Sequence, residues 1–259
     1  MTLDEQLDEL RSNVLRDTSD IIAGDTDSLW SDETLLRYIG DAERRFARQS
    51  LILRDSTTPE YTQIILKQGV QTYPLHRVAL AVLSARYTDT SGNPYDLQRS
   101  GHALIAAQAP IEANSWEPAY PYSTQLPPGA PLAFFTDETL VYNRNSRMTL
   151  SVYPAPSAVE DGTILYLRTI RLPKSAYRNE ENDLGSESEL PEDYQLDVLE
   201  WAAYRAQRTF DGDAGAPTSA DQHKKAFEEA VAAATREAKR KMFAETQLAY
   251  GSNGFTWTR

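Results

Sequence analysis

Two helical patterns sit near opposite ends of this chain with a long β-rich stretch between them, and that spacing limits the available folds more than any other feature. The first lies at 29–42 and continues to Phe46, with Leu35, Ile39, Ala42 and Phe46 recurring at three- and four-residue steps. The second opens at Leu190-Pro191-Glu192-Asp193-Tyr194 and runs through Leu196, Leu199, Ala203, Ala206 and Phe210. If both ends share one core, the middle is an insertion. Such a chain reads as a building block rather than an enzyme.

Local signals place the elements. Thr2 and Glu5 form a capping box ahead of Leu3, Leu7, Leu10 and Val14, which fall on one helical face. Residues 17–27 are polar, contain Gly24 and read as a loop. Ser31 is the N-cap of the next helix, and Trp30 and Leu35 occupy the staple positions around it. This helix is expected to end near Arg54, ahead of Thr57-Thr58-Pro59. From 61 to 173 the texture becomes β-branched, aromatic and proline-rich, and strands are predicted at 62–66, 80–87, 131–136, 147–153 and 163–172. Thr90-Ser91-Gly92-Asn93-Pro94 is a turn. Residues 174–189 form an acidic, solvated loop. Helix returns over 192–210, breaks at 211–217, and resumes behind a second capping box, Ser219 with Gln222. That last helix is predicted to reach Glu245, about 27 residues or roughly 40 Å.

The reading is an α+β protein: a helical bundle core built from both chain ends, with an inserted β-rich domain that is sandwich- or barrel-like. Its parts are 1–60 (N-terminal core), 61–173 (β-rich insertion), 174–189 (acidic loop), 190–247 (C-terminal core) and 248–259 (C-terminal arm).

Composition removes several function classes. The 259 residues include no cysteine, so disulfides, thiolate nucleophiles and cysteine metal sites are out. A net charge of −12 disfavours a general nucleic-acid-binding surface, because gripping phosphate takes clustered cations. Met1-Thr2-Leu3-Asp4-Glu5 is acidic and lacks an apolar core, so no signal peptide is expected. No apolar run approaches membrane-spanning length.

Candidate chemistry is sparse. His76, His102 and His223 lack partners at metal-ligand spacing and read as structural or surface residues. Asp211-Gly212-Asp213 has the start of a calcium loop, but Gly215 and Gln222 stand where further oxygen ligands belong, so it reads as a helix break. The acidic pairs Glu112/Glu117 and Asp137/Glu138 would suit a glycosidase only at a defined separation. With 38 acidic residues, such pairs arise by chance. Trp116, Tyr120, Tyr122, Phe134, Phe135 and Tyr142 could form a binding platform, and the favoured reading is that they fill a β core. No catalytic residue, cofactor or metal is assigned.

Two features point to partners. Arg236, Lys239, Arg240 and Lys241 lie near the end of the last helix, where they either complement its dipole or meet an acidic surface such as another copy of this chain. The arm carries Tyr250, Phe255, Trp257 and Arg259, and aromatics of that kind are favoured interface anchors. The alternative is that the arm folds back on its own helices. The partner-binding assignment is Tyr250, Phe255, Trp257, Arg259, Arg236, Lys239 and Arg240.

Taken together, these packing signatures resemble one family. Trp30, Asp32, Leu35, Tyr38, Ile39 and Ala42, the strand running into Val152-Tyr153-Pro154-Ala155-Pro156, the strand ending at Pro173 and the Leu-Pro-x-x-Tyr helix at Leu190 are similar to the pattern of tailed-bacteriophage head-to-tail adaptor (connector or neck) proteins. The resemblance implies a structural virion protein without catalysis, made in the host bacterial cytoplasm and placed in the neck between capsid and tail. Copies would form a homo-oligomeric ring, commonly of about twelve, whose contacts are heterologous and close on themselves. The ring would dock under the portal protein, extend the DNA channel and present a platform to the tail tube, nozzle or other tail proteins. DNA would pass through without specific binding, and no membrane is involved. Two other functions are compatible with the sequence: a carbohydrate- or protein-binding module of a phage tail component, and a cell-wall hydrolase.

Overall fold

The computed structural model describes residues 1–16, 29–89, 92–99, 128–138, 148–174, 186–209 and 217–249. They fall into two compact units: one drawn from Met1–Leu53 and Leu172–Arg259, the other Arg54–Arg171.

The first unit is helical. Helix α1 (Leu3–Glu9) is opened by the Thr2/Glu5 capping box: the Glu5 N–H donates to Thr2 Oγ1 at 3.2 Å and the Thr2 N–H to Glu5 Oε2 at 2.8 Å. It passes into a π-helical segment, Leu10–Leu15, which stops at Arg16 in a left-handed conformation. Helix α2 (Asp32–Ser50) starts behind Ser31, whose Oγ accepts the Thr34 N–H at 3.3 Å. It ends at Leu51, four residues from Asp55 and earlier than its pattern predicts, because Leu51 turns left-handed and returns its N–H to Ala47 O. Helices α4 (Glu192–Thr209) and α5 (Pro217–Ala249) complete the unit. Pro217 sits at the start of α5, where a missing N–H costs nothing. Ser219, predicted to cap that helix, lies inside it and donates instead to Gln207 Oε1 of α4 at 2.7 Å.

Leu7, Leu10, Leu35, Tyr38 and Ile39 share an apolar cluster with Leu199, Ala202, Ala203 and Ala206. The alanines matter for their size, since they let α4 approach its neighbours closely. A second contact group joins three helices through rings: Phe46 of α2 lies 5.4 Å from Tyr194 of α4 and 6.0 Å from Phe227 of α5.

The second unit is a sheet. Its strands are β1 (Arg54–Asp55), β2 (Gln63–Ile65), β3 (Thr72–Pro74), β4 (Ala79–Thr88), β5 (Pro94–Arg99), β6 (Ala133–Glu138), β7 (Met148–Tyr153) and β8 (Ile164–Arg171), with a four-residue helix α3 (Pro59–Thr62) after β1. The order is β1-β8-β4-β5-β6-β7-β3, and β2 also pairs with β8. All pairs are antiparallel except β5–β6, which is parallel over Gln98↔Ala133 and Arg99↔Phe134. Alternation decides the faces. Leu165 and Leu167 of β8 are buried while Tyr166 between them is 43% exposed. Inward residues from β3 to β8, among them Tyr73, Val82, Leu97, Phe134, Leu150 and Leu165, collect in one cluster, so the sheet curls about that face.

The fold therefore corrects the expected architecture. The protein is α+β, but among the described residues the helices of the two chain ends, although they share an apolar cluster, do not line up as a bundle, and the strands form neither a closed barrel nor a two-layered sandwich. Helix α1 is only seven residues long, about 10 Å, before its helical geometry changes, so the helices do not form a bundle of matched lengths. The middle is a single curled sheet: among the described strands, β1 and β3 end the order unpaired on their outer sides, so the edges do not meet.

Candidate functional site

Each family-like motif has a local structural job. Leu35, Ile39 and Ala42 are fully buried in α2. The Tyr38 hydroxyl lies 3.2 Å from Thr209 Oγ1 at the end of α4, and the Arg205 guanidinium stacks over the Tyr38 ring at 4.7 Å. Asp32, at the first position of α2, pairs with Arg11, whose Nη2 also donates to Trp30 O at 2.8 Å. Arg11 thereby ties the π-helical segment to the entry of α2. Deeper along α2, Asp41 accepts Arg205 Nη1 at 2.6 Å and Trp201 Nε1 at 3.4 Å, and Arg45 lies over the Trp201 ring at 3.9 Å. Local sequence gave no sign of the Asp41–Arg205 pair, because its members are 164 residues apart.

The Leu-Pro-x-x-Tyr motif organises the start of α4. Leu190 is buried and its carbonyl accepts Gln195 Nε2 at 2.7 Å. The Tyr194 N–H returns to Pro191 O at 3.0 Å, closing the first turn. The Tyr194 hydroxyl donates to Glu237 Oε2 of α5 at 2.6 Å, and that bond, with burial, pushes the phenol pKa up to about 12. Glu237 also takes Lys241 Nζ at 2.5 Å, and that cation, together with the Tyr194 hydroxyl, lowers its pKa.

A second polar network sits in the sheet unit and was not anticipated. Asp55 Oδ1 accepts the N–H groups of Thr57 at 2.9 Å and Thr58 at 3.0 Å, while Oδ2 accepts Arg171 Nε at 2.7 Å. Burial works to raise the Asp55 pKa but is outweighed by the Thr58 and Thr57 backbone donors, the Thr58 hydroxyl and Arg171, which hold it well below the usual carboxylate range. Arg171 in turn lies over the Tyr61 ring at 5.3 Å, and that ring packs 4.6 Å from His76. The sequence did carry a signal here: Asp-x-Thr-Thr-Pro is a turn followed by proline at a helix start. The network joins β1, α3 and β8, and its chemistry is that of a clamp. Among the described residues no group of three or more His, Asp or Glu could hold a metal.

Arg236, Lys239 and Arg240 lie on α5 and are exposed, as is Lys241. Arg236 Nε donates to Ala232 O of its own helix at 3.2 Å. Tyr250, Phe255, Trp257 and Arg259 lie outside the described residues, as do His102, Glu112, Glu117, Trp116, Tyr120, Tyr122, Tyr142 and residues 211–216. His223 bridges α5 to α4, with Nδ1 2.5 Å from Glu200 Oε2 and Nε2 3.2 Å from Gln207 Nε2.

Charge separates the units. The two segments of the helical unit hold 28 acidic and 17 basic residues, and Arg54–Arg171 holds 10 and 9. Nearly all of the net −12 therefore belongs to the helical segments. Among the described residues no helix is long and apolar enough to cross a membrane.

Among the described residues, each of these motifs packs, caps or clamps its own unit. The chain matches the description "SU10 adaptor protein" over residues 1–249 and belongs to that family of phage head-to-tail adaptors. Membership marks it as a structural component of the virion neck. No curated protein matches the chain.

Proposed function

We propose that this chain is the neck adaptor that assembles as a ring, commonly of about twelve copies, beneath the portal. There it extends the DNA channel and offers the tail its attachment platform. The observation that carries this reading is the family match, which spans both helical segments and the sheet rather than one module. The charge supports it: an acidic wall leaves few protein cations to release phosphate counterions, so DNA slides past without being held. Exposed apolar side chains on the sheet unit, Ile65 at 60%, Leu132 at 65% and Val159 at 62%, suit contact with other neck or tail proteins. The segment after α5, 250–259, with Tyr250, Phe255, Trp257 and Arg259, reaches a neighbouring copy or the portal.

Electron cryo-microscopy of the purified portal ring incubated with the full chain tests the proposal. The expected result is a second ring on the portal's tail-facing end with a continuous central channel. Portal particles without added density would refute it.

A further inference from the structure

We infer that the cationic turn of α5 around Lys239 and Arg240 is a subunit contact, seated on the acidic helical unit of a second copy of this chain. The inference rests on the ring proposed above and names one of its joints. Three observations carry it.

The first is position. Cations near a helix C-terminus are ordinarily explained by the helix dipole, whose effect fades within the last turn. Helix α5 runs to Ala249, eight residues beyond Lys241 and so more than two turns away, and its last turn holds no basic residue. The dipole does not account for the cluster.

The second is exposure. Successive helix residues point about 100° apart, so four in a row sweep the whole circumference. Lys239, Arg240, Lys241 and Met242 are all exposed, Met242 by 40%, whereas Ala234 and Ala238 are buried. Solvent therefore reaches this turn from every side.

The third is charge complementarity. The helical segments carry 28 acidic against 17 basic residues, and this turn is the densest run of cations in them. A second copy offers exposed carboxylates on the same unit, including Asp4, Asp8, Glu33, Glu192 and Asp193. A basic turn meeting a neighbour's acidic surface is a heterologous contact, the type that closes into a ring. Lys241 is already paired with Glu237, which leaves Lys239 and Arg240 as the residues to test.

The test is light scattering of the full chain over a concentration and salt series, alone and with the purified portal ring, for wild type, Lys239→Glu/Arg240→Glu and Lys239→Gln/Arg240→Gln. Circular dichroism checks folding, and the neutral pair stands in should the reversed pair not fold. The wild type is expected to assemble at a midpoint concentration that rises with salt. The reversed pair should raise that midpoint about tenfold or more, and the neutral pair by less. Assembly of both variants like the wild type would overturn the contact while leaving the ring proposal intact. A variant that self-associates normally yet fails on the portal would place the turn against the portal and overturn it as well. So would wild-type retention of added duplex DNA that the variants lose while assembling normally. A wild type that stays single throughout, with and without portal, would overturn the ring and the contact together.

Discussion

The helical and sheet units solve the same problem with different means. In the helical unit, charge is abundant and mostly at the surface, and the helices are joined by rings and small residues: Phe46 against Tyr194 and Phe227, and Ala202, Ala203 and Ala206 against Leu35 and Ile39. The sheet segment has almost no net charge, and one well-buried ion pair, Asp55–Arg171, fastens its first strand to its last. Arg171 is 13% and Asp55 5% exposed, so this pair is screened far less than the surface pairs of α5. The contrast teaches that charge serves two purposes in one chain. Buried, it fixes a strand; exposed and unbalanced, it is available for neighbours.

The sharpest way to break that comparison is Phe46→Ala. Phe46 is fully buried at the junction of three helices, and its truncation is expected to cost about 4 kcal/mol. Urea unfolding followed by far-ultraviolet circular dichroism should show an early loss of helical signal. Unfolding at the wild-type urea concentration would mean the rings do not hold the helices together.

Asp55→Ala comes next, at about 3 kcal/mol, because it leaves the Arg171 guanidinium buried without its carboxylate. The pH dependence has a definite sign. The Asp55 pKa is lowered on folding, so the stability it contributes is present above its ordinary value near 4 and is lost as pH falls through the lowered one. In an acid titration the wild type should lose stability in that range and the variant should lose less. Parallel curves for the two would count against the clamp.

Tyr194→Phe probes the helical unit more gently and should cost less than either. The Tyr194 phenol is raised, to about 12, so the folded protein keeps this contribution below pH 10 and loses it as pH climbs toward 12. The ultraviolet difference titration between wild type and variant should show phenolate appearing late, near pH 12. A midpoint near 10 would mean the bond to Glu237 is not made in solution.

The smallest effect belongs to Lys239→Gln/Arg240→Gln. Both residues are exposed, so the unfolding free energy obtained from a urea titration should move by no more than about 0.5 kcal/mol. A larger loss would mean that the turn supports its own fold, contrary to the division between fastening and available charge.

The sequence was most legible where the physics is local. Caps depend on residues three apart, and Thr2 with Glu5 and Ser31 with Thr34 both form. Periodicity places Leu35, Ile39, Ala42 and Phe46 on a buried face, and alternation finds β4, β7 and β8. It missed β1, β3 and α3, which span two, three and four residues and are too short to show a period, and it did not mark β5 as a strand. It also misjudged the architecture. Alternation reveals a strand but not its partner, and β8 draws β1 and β2 from about a hundred residues away in the chain. Of the candidate contact residues, the cations of α5 were legible as a cluster. Only the helix's extension to Ala249 shows that the dipole leaves them unexplained.

The most direct test of the account is the mass of the portal ring in solution before and after addition of the full chain, by light scattering. The account predicts a fixed gain of many copies, commonly about twelve, each of 29.1 kDa. An unchanged portal mass at saturating chain would contradict it.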